Sequence, residues 1–444
     1  MLKQSLLATI ITLAVVLAVS SRAYASEQEE SSTQGVFPHD VVGVSREHVD
    51  ADIFHYRFTV RVGNTPNARL QLHRVVREQA PWVPAPTSEG AIMLLHGSFS
   101  TFATDFAPEL GDPPSSVAGL AVFLASRGVD VWGFDRRWTQ APAVDADLSD
   151  FAEMGFANEL VDIGSALGFA RLIRLTTGSG GERVVLGGFS LGGQLAYHYA
   201  SIEAARPSGL RHVKALVIID ADAAIAPGDE ARRQLECANR DTDRVQLASG
   251  AVEVNESFII AVGTLTLAAP DSPSPFASGT TNREVFLSAM GQTYLRAPYT
   301  PRYHLAAPVL TGSAVTGLRE SPEAAVATWL AAARPHQALR ENADSEALFC
   351  GQGPLPIQAP LNRIRVPIFY LGAAGGIGVH GLYTTTQVKS TDVTTLVLHR
   401  FGADRIAEDF GHADLMFATD APSLAWLPLA GWLSRMYGVE REDD

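Results

Sequence analysis

The stretch Val184-Val185-Leu186-Gly187-Gly188-Phe189-Ser190-Leu191-Gly192-Gly193 joins a short apolar run to a serine flanked by glycines and then to a helical pattern. The run Val184–Gly187 lacks polar alternation, which is typical of a strand covered on both faces. Strand, tight turn and helix in this order form the context that a Gly-x-Ser-x-Gly nucleophile turn requires. The glycines leave room for a turn that side chains would block. Ser190 is therefore the candidate nucleophile, above the amides of the helix that begins at Leu191.

Further apolar runs without alternation predict more strands of the same sheet. They are Ala91–Leu95, Val129–Phe134, Val213–Ile219, Pro367–Leu371 and Thr394–Leu398, and two alternating strands precede them at Phe54–Val62 and Arg69–Val76. Helical patterns lie between several of the runs, at Ser116–Arg127, Glu159–Leu175 and Leu191–Ala204. Strands that alternate with helices predict an α/β fold with a mostly parallel, doubly wound sheet.

One long interval, residues 223–365, breaks this alternation. It carries helix-like stretches at Glu230–Gln246, Asn282–Leu295 and Pro322–Leu339. We interpret it as a large, mainly helical cap inserted into a sheet domain formed by residues 26–222 and 366–444.

The chain has two cysteines, Cys237 and Cys350, and both fall in the predicted cap. An even cysteine count in an exported chain permits a disulfide bond, which would tie the beginning of the cap to its end. The alternative is two unrelated buried thiols.

The N-terminus has the pattern of a signal peptide over residues 1–25. Lys3 is followed by the apolar run Leu6–Val19 and by the small-x-small sequence Ala23-Tyr24-Ala25. An uncleaved anchor is the alternative, but the run is shorter than the ~20 residues that span a bilayer, and no second run of spanning length follows. We expect an exported protein, periplasmic or extracellular, with no stable membrane span.

The composition excludes several function classes. The net charge is −14 and basic residues are not clustered, so a nucleic-acid partner is not expected. The sequence has no His-Glu-x-x-His, no cysteine pair at metal-ligand spacing and no glycine-rich phosphate loop followed by lysine. We therefore expect chemistry without a metal or other cofactor.

Two more motifs complete a pattern. His96-Gly97-Ser98 ends the strand Ala91–Leu95, and Phe410-Gly411-His412-Ala413-Asp414 follows the last strand. With the Ser190 turn, these motifs resemble the α/β-hydrolase superfamily over most of the mature chain. Asp130-Val131-Trp132, the continuation of the His412 loop to Asp420-Ala421-Pro422, and the large cap locally resemble the acid-lipase branch.

The resemblance implies roles for several residues. The backbone N–H groups of Ser98 and Leu191 would form the oxyanion hole. His412 would be the general base that takes the Ser190 proton and returns it to the leaving group. His96 at its position is more typical of a structural residue, and His198 and His399 fit the base role less well.

The sequence departs from the usual pattern at the third triad member. Most such enzymes have an acid directly after the seventh core strand, which is Pro367–Leu371 here. This strand is followed by a turn without an acid, Gly372-Ala373-Ala374-Gly375-Gly376-Ile377-Gly378. The sixth strand, Val213–Ile219, is followed directly by Asp220, with Asp222 two residues on. We predict Asp220 as the triad acid and Asp222 as the alternative, with Asp392, Asp404, Asp409 or no acid also open.

These residues predict a serine hydrolase that cleaves a carboxylic ester of a small-molecule or lipid-like substrate through an acyl-enzyme. A large cap suggests a pocket for an apolar acyl or alcohol group. A serine peptidase or amidase would use the same triad. A catalytically silent binding protein is a third hypothesis, because no acid follows the seventh strand.

Overall fold

The computed structural model describes residues 40–85, 90–292, 303–353 and 358–438. The predicted signal peptide, residues 1–25, lies outside the described residues. Within these ranges the strands and helices have the following bounds. The strands are β1 Val41–Asp50, β2 Ile53–Arg61, β3 Arg69–Ala80, β4 Val83–Pro84, β5 Gly90–Leu95, β6 Val129–Asp135, β7 Val184–Phe189, β8 Val213–Ile219, β9 Glu253–Asn255, β10 Pro308–Thr311, β11 Ala314–Leu318, β12 His336–Ala338, β13 Ile368–Ala373 and β14 Val393–Leu398. The α-helices are α1 Phe102–Phe106, α2 Leu120–Ser126, α3 Phe156–Thr176, α4 Leu191–Glu203, α5 Glu230–Ala248, α6 Ser257–Ala268, α7 Asn282–Gly291, α8 Glu323–Ala331, α9 Leu339–Phe349, α10 Gly378–Thr385, α11 Asp414–Phe417 and α12 Leu427–Tyr437.

One sheet of ten strands organises the fold, in the order β1-β2-β3-β6-β5-β7-β8-β13-β14, with β4 paired to β3. The strands from β6 to β14 along this order run parallel, and β1, β2 and β3 are joined to them by antiparallel pairing. Every residue of β5, β7 and β13 is buried, as expected for parallel strands with helices on both faces. The predicted fold class is confirmed.

The core lies on both faces of this sheet. Successive residues of β8 point to opposite faces: Val217 and Ile219 pack with α2 and α12, whereas Leu216 and Ile218 pack with α3 and α4. Because the strands from β6 to β14 run parallel, their carboxyl ends lie at one edge of the sheet, where ligand sites of open α/β sheets are found.

The interval between β8 and β13 contains the helices α5 to α9 and two short antiparallel strand pairs, β9 with β12 and β10 with β11. The predicted helix Pro322–Leu339 is wrong in its second half. The helix α8 ends at Ala331, and β12 and α9 follow. The reason is Pro335, which cannot donate in a helix and disfavours helical backbone in the residue before it.

The predicted disulfide bond is present and joins Cys237 in α5 to Cys350 at the end of α9, across a sequence separation of 113 residues. The two helices pack against each other. None of the described helices is long and apolar enough to cross a membrane.

The length of the loop that the disulfide bond closes predicts how much the bond stabilises the folded state. In the chain-entropy model, a crosslink that closes a loop of this size stabilises the folded state by about 4–5 kcal/mol, and measured values are often lower. The double variant Cys237→Ser/Cys350→Ser should lower the free energy of unfolding by about 2–5 kcal/mol in urea titrations. Reduced wild-type protein is the control and should match the variant. Two free thiols in non-reduced peptide maps of the folded protein would contradict the prediction.

Candidate active site

Ser190 lies in the sharp turn between β7 and α4. Its backbone has φ 54° and ψ −126°, a conformation that a residue with a side chain adopts only where the surrounding structure enforces it. A Cβ at Gly192 would lie 2.1 Å from the Leu95 carbonyl oxygen, and a Cβ at Gly188 would lie 2.2 Å from the carbonyl oxygen of Gly192. The glycines on either side of the serine are thus required by close backbone packing.

His412 lies in the loop after β14, and its ring bonds to Asp220, the residue directly after β8. His412 Nδ1 and Asp220 Oδ2 are 2.6 Å apart. Since a carboxylate only accepts, Nδ1 carries the proton and Nε2 is the nitrogen that can accept one. The imidazole stacks on Phe189, with ring centroids 4.5 Å apart, and Tyr303 packs against it at 5.7 Å. These contacts fix both the tautomer and the orientation of the ring.

Asp220 is fully buried and accepts two backbone hydrogen bonds besides the one from His412. Ala373 N–H donates to Oδ1 and Ile377 N–H donates to Oδ2, both at 2.9 Å. A Cβ at Gly376 would lie 2.1 Å from Oδ2. The glycine-rich turn after β13, which contains no acid, therefore surrounds the carboxylate of Asp220 with amides. This glycine-rich turn was the sequence signal that could have favoured Asp220 over the other candidate acids.

The other acids have different partners or positions. Asp222 pairs with Arg232, whose Nη1 lies 2.5 Å from Oδ2, and both side chains are 2% exposed. Asp409 accepts from the N–H groups of Arg400 and Phe401 and so orders the loop before His412. Asp392 and Asp404 are exposed. The structure thus brings Asp220, and not the alternative Asp222, to His412.

The remaining histidines that the sequence offered are placed elsewhere. His96 is buried, Nδ1 donates to the Gly97 carbonyl at 2.9 Å, and Nε2 accepts from Arg136 N–H at 3.3 Å. Burial and the charge of Arg136 lower its pKa to about 3. His399 is exposed at the end of β14, and His198 is buried in α4.

Asp105, which sequence reasoning missed, holds the loop that contains Ser98. Its Oδ2 accepts from Gly97 N–H at 2.7 Å and from Ser100 Oγ at 2.9 Å. Its Oδ1 accepts from Trp329 Nε1 of α8 at 3.0 Å. Burial raises the pKa of this carboxyl, and the Gly97, Trp329 and Ser100 hydrogen bonds oppose that rise. Asp105 therefore links the predicted oxyanion loop to the segment between β8 and β13.

Asp414 links the His412 loop to the same segment. Its Oδ2 accepts from the N–H groups of Gly411 and Ala307 at 2.7 and 2.8 Å, and Ser321 Oγ donates to Oδ1 at 2.5 Å. One buried carboxyl thus fixes Gly411, the residue before the candidate base, and ties it to Ala307 and Ser321.

Ser190 and His412 both line a cavity of about 330 Å³, which we call the apolar chamber. Its walls come from α6, α7 and α8, with the apolar side chains Phe258, Ile259, Val262, Met290, Trp329 and Leu330. Ser98 borders the chamber beside Ser190. Among the residues that the structure describes, no group of three or more histidine, cysteine, aspartate or glutamate side chains is placed to hold a metal ion.

Comparison with known proteins identifies the fold. No protein-family model matches the chain, and no curated protein matches it in sequence. A solved structure from Sulfolobus solfataricus, provisionally named a lipase, is 16% identical with a TM-score of 0.59, and the match covers 89% of this chain and 99% of that one. Monoglyceride lipase from Saccharomyces cerevisiae is 10% identical with a TM-score of 0.44, covering 93% of this chain and 98% of that one.

The first of these similarities, with the sheet order and the serine turn, shows that the chain has the α/β-hydrolase fold. The likeness to the acid-lipase branch stays a prediction, because the compared structures do not single out that branch.

The pairing of His412 with Asp220 makes a prediction for the reactivity of Ser190. Asp220→Asn should slow covalent labelling of Ser190 by a fluorophosphonate on the order of a thousandfold, because the amide favours the wrong imidazole tautomer and no longer stabilises the imidazolium. Asp392→Asn, the same change at an exposed site, is the matched control and should label at the wild-type rate. Equal labelling rates in wild type and Asp220→Asn would refute the pairing as functional.

His198 makes a prediction for stability. Burial lowers its pKa to about 4 from an ordinary value of 6.5, and neither ring nitrogen has a hydrogen-bond partner among the described residues. Below pH 6.5 the unfolded chain therefore binds a proton that the folded chain does not, so folding stability falls as the pH drops from 6.5 towards 4.

His198→Leu should remove this contribution. Between pH 7 and pH 5 the variant should lose about 2 kcal/mol less of its free energy of unfolding than the wild type does. Urea titrations at the two pH values measure the difference. An unchanged pH dependence in the variant would show that His198 does not carry the effect.

Proposed function

We propose that the protein hydrolyses carboxylic esters with Ser190 as nucleophile, His412 as general base and Asp220 as the acid that orients it. The observation that carries the proposal is the 2.6 Å bond from His412 Nδ1 to the buried Asp220, made by a histidine that shares a cavity with the strained serine. A nucleophile, a base and a group that orients the base are the parts that covalent acyl transfer needs.

The proposed reaction has two stages. Ser190 Oγ attacks the ester carbonyl while His412 Nε2 takes the hydroxyl proton. The N–H groups of Ser98 and Leu191 hold the negative oxygen of the tetrahedral intermediate. When the intermediate collapses, the imidazolium gives its proton to the leaving alcohol, and the acyl group stays on Ser190. A water molecule, deprotonated by His412, then releases the acid and restores the serine.

The apolar chamber supports an ester with an apolar acyl or alcohol group. An alkyl or aryl group that enters it leaves water and packs against Val262, Met290 and Trp329, which is favourable in proportion to the area buried. The name of the structurally similar Sulfolobus solfataricus protein, a lipase, agrees with this choice of substrate class.

We also propose that the protein is exported. The pattern of residues 1–25 supports this, and so does the disulfide bond, because such bonds persist in oxidising compartments.

Ser190→Ala should abolish hydrolysis of p-nitrophenyl butyrate while leaving the thermal unfolding midpoint within about 2 °C of wild type, since the change removes one oxygen at a partly exposed turn. The control is Ser208→Ala, an exposed serine after α4, which should keep wild-type kcat. An anilide of the same acid tests the amidase alternative: faster turnover of the anilide than of the ester would overturn the ester assignment. If the Ser190 variant kept more than a few per cent of wild-type activity, the assignment of Ser190 as the nucleophile would be wrong.

A further inference from the structure

A second cavity meets the first at Ser190. It has a volume of about 200 Å³ and is lined by Ser190, by polar side chains that include Gln194, Glu236, Asn342 and Glu346, and by a few apolar side chains such as Phe349. We call it the polar chamber. It is smaller than the ~300–1,000 Å³ of a site for a drug-sized ligand, so it suits a group of a few heavy atoms.

The amides of the polar chamber are held in place before any ligand binds. Ser345 Oγ donates to Gln194 Oε1 at 2.6 Å, and Gln194 is 3% exposed. Gln337 Nε2 donates to Asn342 Oδ1 at 3.0 Å. This bond fixes the orientation of the Asn342 amide, whose NH₂ group can then donate to a ligand.

The carboxyl groups add further polar atoms to the chamber. Burial, with the nearby charges of Asp243 and Glu236, raises the pKa of Glu346 to about 9. Glu346 shares a hydrogen bond with Asp243, whose carboxyl pKa is also raised by burial, and its Oε2 is buried with no partner among the described residues, so this oxygen can bond to a ligand. An apolar group in this chamber would remove water from these polar atoms without replacing its hydrogen bonds, which costs free energy for each group left unsatisfied.

Resting on the proposed ester hydrolysis, we infer that the substrate joins two unlike parts at the scissile ester: an apolar group in the apolar chamber and a small group bearing hydroxyls in the polar chamber, recognised by Asn342 and Gln194. The hydroxyls belong either to the alcohol or to the acyl part of the ester. Both sources present the same donors and acceptors to the chamber.

The test compares two pairs of esters that differ in hydroxyl groups. In the first pair, glycerol 1-butyrate against propyl butyrate, the hydroxyls are on the alcohol. In the second, butyl 2,3-dihydroxypropanoate against butyl propanoate, they are on the acyl group. Wild type should show a kcat/KM at least about tenfold higher for the hydroxylated ester in one pair, because sites built to hydrogen-bond a substrate discriminate against the analogue that lacks the polar group.

Asn342→Leu should reduce this preference about tenfold, as loss of a hydrogen bond of ordinary strength predicts. Ser345→Ala, which removes the hydroxyl that donates to Gln194 Oε1, should reduce the preference in the same pair and replaces the leucine variant if that variant does not fold. The matched control, Asn158→Leu, changes a half-buried asparagine of α3 that lines neither chamber and should keep the wild-type preference.

The outcomes distinguish failure of the polar-chamber inference from failure of the proposed ester hydrolysis. Turnover of all four esters without a preference in either pair, or an unchanged preference in both chamber variants, would overturn the polar chamber and leave the proposed hydrolysis standing. No turnover of any of the four esters would overturn the hydrolysis itself, and the inference with it.

Discussion

The fold of the site depends on the burial of one charge, the carboxylate of Asp220. A carboxylate out of reach of water is costly unless donors satisfy it, and here three donors come from two separate segments. His412 supplies one, and the amides of Ala373 and Ile377 supply the others. The backbone must then pass so close to the carboxylate that a side chain at position 376 would clash with it. The glycine-rich turn after β13 and the position of His412 follow from this single requirement.

A similar constraint joins the segment between β8 and β13 to the sheet. Phe99, next to Ser98 in the predicted oxyanion loop, has φ 56° and donates its N–H to Gln337 Oε1 at 2.9 Å. Its carbonyl accepts from Arg334 N–H at 2.6 Å. Together with the bond from Trp329 to Asp105, these contacts make the segment between β8 and β13 part of the support of the loop, and not only a cover over the serine. A change of that segment would therefore alter the geometry of the predicted oxyanion loop as well as access to it.

The sequence predicts well what local pattern determines. The bounds of β8 agree with the predicted Val213–Ile219, and the serine turn and the histidine loop are visible as motifs. The strand β1 was missed because it is an edge strand whose residues are mostly exposed, so no apolar run marks it. The helix α6 was also missed, because it is apolar on most sides and lacks the polar face that identifies a surface helix. The polar chamber could not be predicted, since Gln194, Glu236 and Asn342 come from three helices that only the tertiary fold brings together.

The disulfide bond then has a place in the site as well as in the stability of the chain. Cys237 follows Glu236 in α5, and Cys350 lies one helical turn after Glu346 at the end of α9. Glu236 and Glu346 line the same chamber, and the charge of the first raises the pKa of the second. Keeping acidic groups this close costs free energy, and that cost is reduced because Glu346 of α9 shares a hydrogen bond with Asp243 of α5. The disulfide bond holds the same two helices together, so the acidic walls of the polar chamber stay in contact.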